Sequence, residues 1–125
     1  LAYRLENNGR LKSGHTLKEV KGCFDHNELN GILINCSEPE IISDHIAELS
    51  DFDMPFGAYG NGFVSVEPLA RGESVSKLQA RTDLSPGKYA DYVDQWISLG
   101  ATIVGGCCEI SPSHIQEVKR HLTNI

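Results

Sequence analysis

Short apolar runs alternate with amphipathic stretches four times along the chain, and this alternation constrains the fold more than any other feature of the sequence. Residues 1–5 read as the tail of a strand. After the polar turn Asn7-Asn8-Gly9, the segment Thr16-Leu-Lys-Glu19 has the form of a capping box, with Leu17, Val20 and Phe24 on one helical face. Residues 31–36 are a continuous apolar run, too short for a helix and suited to a strand buried on both faces. Ser37-Glu-Pro-Glu40 then reads as a second capping box, with Pro39 in the first turn and Ile42, Ile46 and Leu49 at helical spacing. Residues 55–59 form the third strand, diluted by Pro55 and Gly57. A third helix starts at Ser85-Pro86, carries Tyr89, Tyr92, Val93, Trp96 and Ile97 on one stripe and closes at Gly100. Residues 101–104 make the last strand, running into Gly105-Gly-Cys-Cys108. Ser111-Pro112 opens a final helix along Ile115, Val118, Leu122 and Ile125.

Consecutive parallel strands need helical crossovers, so the repeat predicts an α/β protein with a parallel sheet, either doubly wound or part of a (β/α)-barrel. The 125 residues are expected to form one domain. Residues 60–84 show no periodicity, and a stretch of that length inside a compact domain reads as a lid, a binding loop or a disordered segment. Glu67, Arg71, Glu73 and Arg81 fall in it and read first as a solvated loop. The chain starts at Leu1 without an initiator Met, so a piece of a longer protein is expected.

Composition removes whole classes of function. The net charge is −6, without the Lys/Arg clustering that neutralises phosphates, which argues against a nucleic-acid partner. No apolar run approaches the roughly 18 residues of a membrane helix, and a soluble cytoplasmic protein is expected. Four cysteines could build a secreted disulfide scaffold, but Cys107 and Cys108 are adjacent, so reduced thiols used for metal or chemistry are the better reading.

The unit boundaries place those thiols. Parallel strands point one way, so Cys36 and the Cys107-Cys108 pair, each at a strand end, emerge at the carboxyl-end rim where α/β folds gather ligands. Three thiolates can fill three corners of a tetrahedral zinc site, and three protein ligands with one open corner is the catalytic pattern. Gly105 and Gly106 would let the backbone turn sharply and aim two successive side chains at one point. Cys23, near a helix end, reads as a small core hydrophobe. The five histidines are scattered, with solvent-facing or capping roles expected. Trp96, Tyr89 and Tyr92 are expected to pack helix against sheet.

Asn35-Cys36 at a strand end followed by Ser-Glu-Pro-Glu, together with Gly105-Gly-Cys-Cys108 followed by Ser111-Pro-Ser-His-Ile115, resembles the two zinc signatures of the homocysteine S-methyltransferase family. The likeness extends through residues 8–17, through Tyr59-Gly-Asn61 (with Gly60 where relatives commonly place Pro) and through residues 92–101, covering nearly the whole chain. The resemblance implies zinc on Cys36, Cys107 and Cys108, and transfer of a methyl group from a small donor to the thiol of homocysteine, giving methionine. It also implies the last four units of an eight-stranded (β/α)8 TIM barrel. The first half of that barrel, with its substrate-binding acidic residues, is missing from the chain. Weak catalysis is therefore expected unless a second copy or the missing half completes the barrel. Asn61 is a candidate substrate contact, and Asn35 a candidate for holding Cys36 in place. On this reading residues of the 60–84 loop are candidates to close over the methyl donor. The alternatives are a stand-alone zinc-binding half barrel, inactive and self-associating through open sheet edges, and a doubly wound thiol redox protein, for which a C-x-x-C is lacking.

Overall fold

The computed structural model describes residues 1–23, 26–64, 72 and 79–124. Four parallel strands, β1 (Ala2–Tyr3), β2 (Ile32–Ser37), β3 (Phe56–Gly60) and β4 (Ile103–Gly106), lie in the order β1-β2-β3-β4. The expected α/β class with a parallel sheet is present. Strand order follows chain order without reversal, so the sheet has none of the topological switch points of a doubly wound fold.

Helices follow the strands as the periodicity requires. They are α1 (Leu17–Val20), α2 (Pro39–His45, continued as a 3-10 helix over Ile46–Phe52), α3 (Pro86–Ser98) and α4 (Pro112–Thr123). The Thr16 hydroxyl accepts from the Glu19 amide at 3.2 Å, so Thr16 caps α1, while the Glu19 carboxylate accepts from the Thr16 hydroxyl at 3.2 Å instead of from its amide; α1 is a single turn, and Phe24 lies outside the described residues. Ser85 caps α3 by accepting from the Lys88 amide at 3.2 Å. The second box does not form. The N-cap of α2 is Glu38, without a side-chain cap, because Ser37 is drawn into the sheet, where its Oγ accepts from the Leu5 amide at 2.9 Å.

The core lies between the sheet and the helices. Ile32, Ile34 and Ala58 from the strands meet Ile42, Ile46, Leu49, Tyr89, Ala90, Val93 and Trp96, all essentially without exposure. Each large side chain so buried contributes about 1.5–3 kcal/mol, which is why short helices of ordinary propensity stay folded here. Helix α2 packs on α3 and α3 on α4, forming one layer on one face of the sheet. The strand register lines up Leu33, Gly57 and Ile103, then Asn35, Tyr59 and Gly105, on the other face. Leu33, Asn35, Tyr59 and Ile103 there are only half-buried. The glycines of that face answer to close approach: a Cβ on Gly105 would stand 2.8 Å from the Tyr59 ring. The expected sharp turn at Gly105-Gly106 is instead straight strand, and the left-handed residue after it is Glu109, at φ 60°.

Two residues depart from their expected surroundings. Cys23 is exposed rather than buried, because α1 ends at Val20 and the thiol only reaches the Glu19 carbonyl, at 3.8 Å. Arg81 is not solvated: its side chain is 12% exposed and fully engaged in ion pairs. Glu67, Arg71 and Glu73 lie outside the described residues, as does most of the 60–84 stretch. No described helix is long and apolar enough to cross a membrane.

Helices α3 and α4 are fastened by His121, whose Nδ1 lies 2.6 Å from Asp94 Oδ2 and whose Nε2 lies 3.3 Å from Glu117 Oε1, with Asp91 and Arg120 near by. The hydrogen bond to Asp94, then the charges of Asp94 and Glu117, raise the His121 pKa above the ordinary 6.5, against burial and Arg120. A pKa raised by folding contributes stability that is fully present below the unfolded value and lost as pH rises through the folded one. Thermal unfolding at fixed ionic strength is expected to show this loss as pH rises above the ordinary histidine value of about 6.5, and a His121→Gln chain is expected to lack it. Equal slopes in the two chains would remove His121 from the account.

Candidate metal centre

The site begins with an irregularity in β2. Asn35 pairs with Tyr59 and Ser37 with Gly60, so Cys36 is an extra residue in the ladder, a bulge with φ 50°. A non-glycine residue in that region costs about 1–2 kcal/mol relative to regular strand. Three hydrogen bonds hold it there: Ser37 Oγ donates to the Asn35 carbonyl at 3.0 Å and accepts from the Leu5 amide, and the Ser37 carbonyl accepts from the Asn61 amide at 3.0 Å. The bulge re-aims the Cys36 side chain, which a regular pleat would have sent to one face or the other.

On the opposite arm, Cys107 and Cys108 follow directly on β4, at the same end of the sheet. The Cys107 amide donates to the Gly60 carbonyl at 2.8 Å, and the Cys108 carbonyl accepts from the Gly62 amide at 2.8 Å. Tyr89 on α3, wholly buried, accepts from the Gly60 amide at 3.0 Å and donates to the Gly105 carbonyl at 2.6 Å, pinning β3 to β4 beside the cysteines. Burial pushes its hydroxyl pKa up, so the phenol keeps the proton it donates. His114 ties the start of α4 to the stem of α3. Its Nδ1 accepts from the Ser111 amide at 3.2 Å, which leaves Nε2 to donate to the Leu84 carbonyl at 2.8 Å.

These supports bring the sulfurs of Cys36, Cys107 and Cys108 within 4.8 Å of one another, with the Cys107 and Cys108 sulfurs 3.9 Å apart. Tetrahedral zinc with sulfur at about 2.3 Å sets neighbouring sulfurs about 3.8 Å apart, so the donor set fits that ion. Electrostatics point the same way. Burial first, then the hydrogen bond with Cys107 and the neighbouring thiols, push the Cys36 pKa up to about 12, and burial with Cys107 raises Cys108. Thiols packed this closely oppose each other's ionisation, and a cation among them reverses the balance.

Asn61 and Asn35 sit beside this cluster. Asn61 is fully buried; its Oδ1 accepts from the Phe63 amide at 2.9 Å, and its Nδ2 has no hydrogen-bond partner among the described residues. Asn35 contributes its carbonyl to the bulge through Ser37. Sequence reasoning missed Ser37, Tyr89 and His114 as parts of the site's frame. Only His114 left a local trace, since Ser111-Pro-Ser-His114 has the spacing of a capping box with His in place of Glu.

Fold and centre together define a parallel α/β protein with a cluster of three thiols at the carboxyl ends of its strands. The family model described as homocysteine S-methyltransferase matches residues 2–122, and the chain belongs to that family. Among curated relatives it is 27% identical over 124 residues to homocysteine S-methyltransferase 3 of Zea mays, covering 98% of this chain and 35% of the relative. It is 25% identical over 120 residues to homocysteine S-methyltransferase of Escherichia coli (94% and 37%). It is also 28% identical over 123 residues to methionine synthase of Mycobacterium tuberculosis (97% and 10%). The chain thus spans about a third of the length of the first two.

Proposed function

We propose that Cys36, Cys107 and Cys108 hold zinc, and that the chain is the thiol-activating part of an enzyme that methylates homocysteine to methionine. The approach of the three sulfurs to within 4.8 Å at the strand ends carries this reading, and the names of the relatives support the substrate. Zinc held there supplies the positive charge that keeps an incoming thiol ionised near pH 7. The three cysteines fix where the homocysteine sulfur sits, and Asn61, with a buried and unpartnered Nδ2, offers a donor to the amino acid. Asn35 holds the Cys36 bulge by its carbonyl. In the transfer a sulfur–carbon bond forms as the methyl–donor bond breaks. The donor, of sulfonium, quaternary ammonium or methyl-carrying cofactor class, leaves with the electron pair, and the thiol proton goes to solvent.

The unreversed strand order and the half-buried sheet face support four consecutive units of a (β/α)8 barrel, completed by another set of four. A second copy or further units of the same polypeptide could supply that set. The open edge of β4 also favours a second reading, a zinc-binding half barrel that self-associates without activity. The test is to load the chain with zinc, add homocysteine and S-methylmethionine, and follow methionine by mass spectrometry with the oligomeric state measured in parallel. About one zinc per chain is expected. Methionine formation is expected to be faint for the monomer and to rise when the barrel is completed. No zinc uptake would overturn the proposal, and robust turnover by a monomer would overturn its half-barrel part.

A further inference from the structure

Arg81 sits near the end of the 60–84 stretch, where the chain returns to the rim. Its amide donates to the Gly62 carbonyl at 2.7 Å, and Phe63 and Ala80 form an antiparallel bridge, so residues 62–64 and 79–81 make a short stem. The same Gly62 donates its amide to the Cys108 carbonyl at 2.8 Å. The Arg81 side chain reaches the other way. Nη1 and Nη2 donate to the two oxygens of Glu40 at 2.8 and 2.7 Å, and Nε and Nη2 donate to Asp83 at 3.0 and 2.8 Å. Glu40 is the second residue of α2, four positions after Cys36, and Tyr92 also donates to it at 2.9 Å.

One residue therefore grips both arms of the thiol cluster. Through its main chain it is joined, by Gly62, to Cys108; through its guanidinium it is joined to the first turn of the helix that Cys36 leads into. Cys107 and Cys108 are adjacent and move together, whereas the distance from Cys36 to that pair depends on how α2 sits against the β3–β4 rim. We infer that Arg81 is a positioning residue that sets this distance and so governs how tightly the three thiols hold a metal ion. The inference rests on the proposed metal reading. The two-pronged contact needs the planar fork of arginine, which lysine lacks. Arg81 is 12% exposed and Glu40 43%, so the pair is partly buried and its complete loss would cost stability as well. Arg81→Lys keeps the charge and loses the fork, so its effect should show in metal affinity more than in stability.

The test is competition of the metal-free chain with a chelator for Co2+, read by the thiolate-to-cobalt charge-transfer band, in wild type, Arg81→Lys, Arg81→Gln and Asp83→Asn. Cobalt affinity is expected to fall about 10-fold or more in both Arg81 variants, as when supports of metal ligands are removed. Asp83→Asn, which removes an exposed partner without touching the tie to α2, is expected to stay within about two-fold of wild type. The metal-free Arg81→Lys and Asp83→Asn chains are expected to unfold at similar temperatures. If Arg81→Gln does not fold, Arg81→Lys decides. Wild-type affinity in the Arg81 variants, or an equal loss in Asp83→Asn, overturns the inference alone. A wild-type chain that takes up no cobalt or zinc overturns the metal reading and this inference with it.

Discussion

Replacing Cys36 by serine is expected to lower zinc affinity by about 10²–10³-fold while the chain remains folded. Structural zinc in small peptides binds with about 10–16 kcal/mol shared among four ligands, so one ligand accounts for about 2.5–4 kcal/mol. A serine hydroxyl stays protonated at neutral pH and is a harder, weaker donor to zinc. Folding should survive because Cys36 is the bulged residue, contributing no register pair, and the hydrogen bonds that hold the bulge belong to Ser37 and Asn61. Metal content after dialysis against a chelator, beside the unfolding temperature of the metal-free chain, separates the two effects. Full retention of zinc by Cys36→Ser would remove this residue from the centre.

The largest structural effect is expected at Gly57. A methyl group there would stand 1.6 Å from the Ile103 carbonyl oxygen and 2.5 Å from its carbon, both backbone atoms of β4. Neither can rotate aside, and β4 is held against β3 by the Thr102 amide donating to the Phe56 carbonyl at 2.8 Å. Overpacking that side chains can absorb costs about 1–3 kcal/mol. Here the strands themselves must part, so Gly57→Ala should exceed about 3 kcal/mol and lower the unfolding temperature by on the order of 10 °C. Separation of β3 from β4 also carries Cys107 and Cys108 away from Cys36, so zinc uptake should fall with it. Gly87→Ala is the matched comparison. Nothing lies within 4 Å of a Cβ there, and the residue is in the first turn of α3, so alanine should leave stability unchanged or raise it by about 0.5 kcal/mol. Similar melting of the Gly57→Ala and wild-type chains would refute the clash.

Legibility in the sequence followed the range of the interaction concerned. Helix α3 was readable end to end because its signals are local: Ser85 as cap, Pro86 at the first position, and the Tyr89, Val93 and Trp96 stripe. The convergence of Cys36 with Cys107 and Cys108 was readable because parallel strands leave little choice about where their ends lie. The bulge itself was not, since nothing in Asn35-Cys36-Ser37 announces that the middle residue falls out of the ladder; the partners that hold it, Leu5 and Asn61, are remote in sequence. For the same reason Ser37-Glu-Pro-Glu40 misled. Its serine bonds to Leu5 and its Glu40 to Arg81, so neither is left to cap α2. Cys23 misled through a helix boundary, α1 being one turn long.

The pairing of Asn35 with Tyr59 and of Ser37 with Gly60 means that β2 and β3 would zip together without interruption if residue 36 were absent. A sheet built for stability alone would shed it. The cysteine is thus a phase slip in an otherwise regular ladder, and in this chain the coordinate that sets chemistry runs against the one that sets pairing. Deleting residue 36 would regularise the ladder and take away one of the three clustered sulfurs in the same step.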